Sequence, residues 1–202
     1  MLQKETYEWV DSWCDFADHD DLPRIILIGD SITRGYQSMV RETLRGRCYV
    51  DFLATSYSMD NPLYWDMLQS FLANSHYDLI HYNFGLHGQQ LDSTAYKNGL
   101  AKVNQLVPKG CALVFATTTE PYSVSPENKL YQIWAPLVKE RNEVMLRFAL
   151  KNLIPLDDLH QVSLTLSSEE RAGDCIHFAE AGNKKLAKEV VASIEKHLFF
   201  LK

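Results

Sequence analysis

Two short stretches hold residue types that together could attack a carbonyl carbon. Gly29-Asp30-Ser31 closes an aliphatic run and leaves a serine hydroxyl at a turn, and far along the chain Asp174 precedes His177 by three positions. A serine is a weak nucleophile until a base takes its proton, and the base needs an acceptor that holds its tautomer and stabilises its charged form. Asp174 and His177, on one loop, can supply both. Each signal alone has a plainer reading: a Gly-Asp-Ser turn serves helix capping in many α/β proteins, and an Asp-x-x-His pair is often surface polarity or a cap. Cys175 lies between base and partner, so its side chain is expected to point the other way, as an inert buried thiol. Asp30 is read as hydrogen-bonding the turn around Ser31.

These residues need a scaffold. Pro23 is followed by Arg24 and the unbroken aliphatic run Ile25-Ile26-Leu27-Ile28, which predicts a strand covered on both faces. Gly29 permits a sharp turn, and Ser31 or Thr33 can cap a helix running through Arg34 to Leu44. Further strands are expected over Cys48–Ala54, Asp78–Phe84, Ala112–Thr117 and Asn152–Asp157. Between them lie helices marked by Asn61-Pro62 with Leu63, Met67, Leu68 and Phe71, and by Tyr96, Leu100, Val103 and Val107 up to Pro108. Another runs from about Leu130, kinked or restarted at Pro136, and a last one from Ala179 to Leu198. The opening Tyr7–Phe16 segment, with Val10, Trp13, Trp9 and Phe16 at helical spacing, predicts a helix packed on the outside with its aromatics in the core. Strands alternating with helices imply right-handed crossovers and a parallel sheet in one domain over residues 1–202. Ligands bind beyond the carboxyl ends of such strands, which here carry Asp30-Ser31, Thr55 to Ser58, Gly85 to Gly88 and Thr117 to Glu120.

Composition narrows the partners. A chain of 202 residues with 46% hydrophobic residues can bury a substantial core, and a formal charge of −6 without a Lys/Arg run argues against nucleic acid. No apolar stretch is long enough to cross a bilayer, and Met1-Leu2-Gln3-Lys4-Glu5-Thr6 lacks the apolar centre of a secretory signal, so a cytoplasmic location is expected. Cys14, Cys48, Cys111 and Cys175 lie far apart, as reduced thiols do. His76, His81 and His87 read as strand-edge or loop residues rather than as a metal cluster.

Together, the Gly-Asp-Ser turn after the first strand and Asp-x-x-His before the last helix resemble the first and last motif blocks of the SGNH/GDSL hydrolase family. The five-strand alternation is similar to that family over most of the chain, and Leu156-Asp157-Asp158-Leu159 resembles its approach to the catalytic loop. The resemblance implies a three-layer α/β/α sandwich with a five-stranded parallel, flavodoxin-like sheet, Ser31 as nucleophile, His177 as general base and then acid, and Asp174 as its orienting partner. The absence of any G-x-S-x-G counts against an α/β-hydrolase elbow.

The middle blocks depart from the pattern. The family places a glycine after its second strand and a G-x-N-D turn after its third, where a backbone N–H and the Asn side chain join the serine N–H as oxyanion donors. Here Thr55-Ser56-Tyr57-Ser58 stands at the first place, so an unspecified backbone N–H of that turn is what carries over. At the second, Gly85 is kept and His87 stands where the Asn would be. A neutral imidazole N–H can donate to an oxyanion as an amide does; the alternatives are that Asn83 or Asn61 donates, or that His87 is a structural turn residue. The expected oxyanion hole is Ser31, Ser58, Gly85 and His87, and the expected substrate side is Asp30, Tyr57, Asn61 and Tyr122. The implied activity is cleavage of a carboxylic ester through an acyl-enzyme without metal or cofactor. Polar turns with Tyr57, Trp65 and Tyr122 favour a short acyl group on a carbohydrate-like or other small alcohol, with lysophospholipid, thioester and aryl ester substrates open. A non-catalytic anion-binding module is the rival reading; no Gly-x-Gly-x-x-Gly or Walker-type loop supports it.

Overall fold

The computed structural model describes residues 4–198, so Met1-Leu2-Gln3 of the stretch read for a signal lies outside the described residues. Strand β2 (Arg24–Gly29) is buried at every position. Ile25 and Leu27 enter one apolar cluster and Ile26 and Ile28 the other, which is why the run shows no polar alternation. Parallel partners flank it: β3 (Tyr49–Thr55) on one side and β4 (Leu79–Asn83) on the other, followed by β5 (Ala112–Ala116) and β6 (Leu156–Asp157). Helices α1 (Ser31–Leu44) and α6 (Glu180–Leu198) pack together on one face. Helices α2 (Pro62–Asn74) and α3 (Ser93–Leu106), with the later half of α4 (Lys129–Asn152), cover the other. The α/β/α layering matches the sequence reading, and no helix of the described residues is long and apolar enough to cross a membrane.

Several expectations need correction. The sheet has six strands in the order β1-β3-β2-β4-β5-β6 and is mixed, because β1 (Val10–Trp13) runs antiparallel along β3. This strand replaces the helix predicted over Tyr7–Phe16; of the segment's aromatics, Trp9 packs against the core while Trp13 and Phe16 are about half exposed. The cause is non-local. Arg24 Nη1 donates to the Asp15 carbonyl and to Asp51 Oδ1, and Nη2 donates to the carbonyls of Phe16 and His19. Those bonds fix a turn with Phe16 at φ 42° and leave the preceding residues against the open edge of β3.

The fifth strand is also shorter than Asn152–Asp157, because α4 continues through Asn152 and ends on Leu153 in the left-handed region. Pro136 sits inside α4 without ending it. Helix α5 (Leu159–Leu164) and a 3₁₀ turn (Ser168–Glu170) fill a stretch to which no element was assigned. Gly29 stands at the sharp turn into α1, and space requires it there: a Cβ would lie 2.0 Å from Thr33 Oγ1 and 2.3 Å from the Asn83 carbonyl oxygen.

Candidate active site

Strand β2 ends at Gly29 and the chain turns at once into α1, with Asp30 rather than Ser31 or Thr33 as the N-cap; its carboxylate accepts from the Ile32 N–H at 3.0 Å. Ser31 is therefore the first helical residue. Its N–H is one of the four that no intrahelical carbonyl can satisfy, and its half-buried hydroxyl opens onto the end of the sheet. Thr33 turns inward, its hydroxyl 3.1 Å from that of Tyr36.

The partner loop is closed like a hairpin. Arg171 and Phe178 form an antiparallel bridge, the Ala172 N–H donates to the His177 carbonyl at 3.0 Å, and the Ala179 N–H donates to the Glu170 carbonyl at 3.0 Å. Gly173 and Cys175 take left-handed conformations, at φ 84° and 78°. Within this loop Asp174 Oδ1 accepts from the backbone N–H groups of Ile176 (3.1 Å) and His177 (2.8 Å), while Oδ2 lies 2.5 Å from His177 Nδ1. On the far side of the ring, His177 Nε2 lies 2.8 Å from Ser31 Oγ. A carboxylate can only accept, so Nδ1 carries the hydrogen and Nε2 faces the serine as a base. Desolvation pushes the Asp174 carboxyl up, but the donors from His177 and Ile176 outweigh it and hold it below the usual carboxylate range.

Cys175 is buried and its thiol is pushed up by that burial, in keeping with an inert thiol. Arg171, which motif reading missed, pins the loop. Its Nη1 donates to the Glu120 carbonyl at 2.7 Å, its Nη2 donates to the Ser163 carbonyl, and its guanidinium lies 5.0 Å from the ring centroids of both Tyr122 and Phe178.

The turns after β3 and β4 complete the surroundings. Of the candidate N–H donors after β3, that of Ser56 bonds the Trp9 carbonyl and that of Tyr57 bonds Thr55 Oγ1 at 3.1 Å. Ser58 N–H has no protein acceptor among the described residues. Ser58 Oγ lies so close to Gly88 that a Cβ there would meet it at 2.4 Å, which brings the two turns together. Asn83 is committed elsewhere, donating to the carbonyls of Ala116 (3.2 Å) and Thr117 (3.0 Å), and Asn61 caps α2 through the Leu63 N–H. Asn83 therefore drops out as an alternative donor, whereas the cap of Asn61 uses only its Oδ1. Asp30 belongs behind the site rather than on its substrate side. It is 1% exposed, burial pushes its carboxyl up, and His87 with the N–H groups of Ile32, Gly85 and Leu86 counters that push.

Tyr57 and Tyr122 are half-buried; the Tyr122 N–H donates to the Cys175 carbonyl at 2.8 Å, holding it beside the histidine loop. His87 has a partner that sequence reading missed: its Nδ1 lies 2.7 Å from Glu5 Oε1, while its buried Nε2 has no protein partner. His81 is no strand-edge residue. It is fully buried within β4, with Nε2 2.8 Å from Asp157 Oδ2.

The sequence matches no protein-family model and no curated protein. Solved structures do match. A Slackia heliotrinireducens protein assigned to the SGNH hydrolases is 21% identical with a TM-score of 0.69, the alignment covering 86% of this chain and 100% of that one. The aryl esterase of M. smegmatis is 18% identical with a TM-score of 0.70, covering 87% and 100%. A lipase/acylhydrolase from Enterococcus faecalis is 17% identical with a TM-score of 0.71, covering 88% and 97%. At these identities the likeness is one of architecture, and this chain has the fold of the SGNH/GDSL hydrolases.

Proposed function

We propose that this protein is a serine hydrolase of the SGNH/GDSL type that cleaves a carboxylic ester through an acyl-enzyme. The observation that carries the reading is the unbroken line from Asp174 Oδ2 through the His177 ring to Ser31 Oγ, at 2.5 and 2.8 Å. Ser31 Oγ attacks the ester carbonyl while His177 Nε2 takes its proton. The carbonyl oxygen becomes an oxyanion, received by the Ser31 N–H, the Ser58 N–H and His87. Collapse expels the alcohol, which takes the proton back from His177, and water deacylates Ser31 by the same steps in reverse. Asp174 orients the imidazole and stabilises its charged form. No step calls for a metal or cofactor.

For the substrate, a short acyl group on a carbohydrate-like or other small alcohol fits best. A cavity of about 460 Å³ meets the proposed site at Ser58 and Gly88, without Ser31 or His177 in its lining, and much of its wall is polar, with Glu5, Ser56, Gln89 and Gln90. Hydroxyls and amides of this kind suit a polyol better than an acyl chain. The test is labelling by a fluorophosphonate probe together with hydrolysis of p-nitrophenyl acetate, each compared with Ser31→Ala. Wild type is expected to do both and the variant neither; a wild type that does neither would falsify the reading. Acetyl-sugar esters set against p-nitrophenyl esters of rising chain length then test the substrate class, with turnover expected to fall beyond short acyl groups.

A further inference from the structure

His87 occupies the turn where the proposed oxyanion hole needs a third donor, and its ring is held from several sides. Trp9 meets it edge-on at 6.3 Å between centroids, Phe84 lies at 6.1 Å, and Glu5 Oε1 is 2.7 Å from Nδ1. The segment that carries Glu5 is itself stitched to the neighbouring turn. The Trp9 N–H donates to Ser56 Oγ at 2.8 Å, and the Trp9 carbonyl accepts from Thr55 Oγ1 at 2.8 Å and from the Ser56 N–H at 3.1 Å. The opening segment is thus a strap across both turns that flank Ser31.

The bond to Glu5 has a chemical consequence. A carboxylate accepts and cannot donate, so the hydrogen of a neutral His87 sits on Nδ1 and Nε2 presents a lone pair. A lone pair repels an oxyanion. Nε2, which is buried and has no protein partner, becomes a donor only when the ring is doubly protonated. We propose, building on the hydrolase reading above, that Glu5 is a positioning residue for catalysis: by gripping Nδ1 it makes His87 an oxyanion donor in its imidazolium form, giving the hole a full positive charge where an asparagine would offer a neutral dipole.

The charged groups facing the ring favour that form. Burial works against the imidazolium, but the Glu5 carboxylate at Nδ1 and the Asp30 carboxylate from the β2–α1 turn outweigh it, and His87 is held above the ordinary imidazole value. Cations also stand nearby: Arg34 is stacked 4.5 Å from the Trp9 ring centroid, Arg141 Nη2 donates to the Gly88 carbonyl at 2.9 Å, and Lys4 adjoins Glu5 and Gly88 on the cavity wall. Two histidines are then needed in opposite states, His177 neutral and His87 charged. Turnover therefore falls as pH climbs through the raised value of His87.

The experiment is the pH profile of kcat and of kcat/KM for wild type, Glu5→Gln, His87→Asn, His87→Ala and the Glu5→Gln/His87→Asn pair. Fluorophosphonate labelling of Ser31 and a thermal melt are run on each. His87→Ala is expected to lose about 10²–10³-fold in kcat with little change in KM. Glu5→Gln is expected to move its alkaline limb down by about one pH unit, since a close opposite charge shifts an ionisation by that order. His87→Asn restores a neutral donor, so it is expected to keep more turnover than His87→Ala, to show no alkaline limb of this origin, and to be indifferent to the added Glu5→Gln. A folded Glu5→Gln with an unmoved alkaline limb, or a His87→Asn that keeps that limb, overturns the inference while labelling of Ser31 leaves the hydrolase reading standing. A wild type that neither labels nor turns over overturns both.

Discussion

Cys175 sits at φ 78° between Asp174 and His177, in a conformation that costs a residue with a Cβ about 1–2 kcal/mol. The strain has a geometric use: the reversal there lets Oδ1 of Asp174 collect the N–H groups of Ile176 and His177 while Oδ2 reaches Nδ1. Glycine adopts this backbone without strain, but it adds unfolded-state freedom worth about 0.4–1 kcal/mol and removes a buried thiol. Those terms oppose each other. Cys175→Gly is therefore expected to change stability by no more than about 1 kcal/mol and to keep kcat within a few-fold. Cys175→Val keeps the Cβ and adds β-branching, which this region excludes, and is expected to lose about 2 kcal/mol or more and most of the turnover. Urea unfolding and p-nitrophenyl acetate kinetics on the pair provide the check; a valine variant as stable and active as the glycine one would show that the backbone at 175 does not hold the carboxylate.

Arg171 acts on the whole loop. It is half-buried, its desolvation lowers its ionisation from the usual guanidinium value, and its two carbonyl acceptors lie on different elements, at Glu120 after β5 and at Ser163 in α5. Charge-assisted bonds of this kind contribute about 1.5–3 kcal/mol each, so Arg171→Ala is expected to destabilise by at least about 2 kcal/mol. It should also lower kcat about tenfold or more, because reacting groups displaced by about an ångström lose rate steeply. Arg171→Lys cannot serve two divergent carbonyls and two rings, and is expected to recover little. Turnover in Arg171→Ala equal to wild type at a temperature where both are folded would leave the arginine a stability role only. What sequence could and could not reveal divides along the same line. Local signals were legible: the aliphatic run of β2, the Asn61-Pro62 start of α2, and Ser31, Asp174 and His177 as residue types that one sheet edge could collect. Contacts made at long range were not. Nothing near Val10–Trp13 announces a strand, since its pairing depends on the free edge of β3 and on Arg24 holding the Asp15–His19 turn. Glu5 is 82 positions from His87, and an isolated acidic residue near a chain start carries no motif.

Across the molecule, the sheet carries, besides the buried Arg24–Asp51 pair, an ion-capable pair with both side chains fully inaccessible. His81 of β4 and Asp157 of β6 meet at 2.8 Å across β5, both side chains inaccessible, with His81 Nδ1 and Asp157 Oδ1 lacking protein partners. The pair fastens a two-residue strand that has little else to fix it, and the chain beyond β6 runs straight into α5, whose N-cap Asp158 is held by Thr117, and then to the histidine loop. Removing one member leaves the other buried and unpaired, which typically costs about 3–5 kcal/mol, whereas replacing both with apolar groups of similar volume is often neutral. His81→Leu is accordingly expected to lower the melting temperature by about 6–20 °C for a chain of this size. Adding Asp157→Leu is expected to recover most of that loss, because the Asp157 backbone carbonyl still accepts from the Thr117 N–H at 3.0 Å and keeps the ladder. Urea unfolding of the two single variants and the double variant measures the coupling. A double variant no more stable than His81→Leu alone would mean that the pair is not what holds β6, and that the approach of the histidine loop to Ser31 is fixed by Arg171 and the α5–α6 contacts instead.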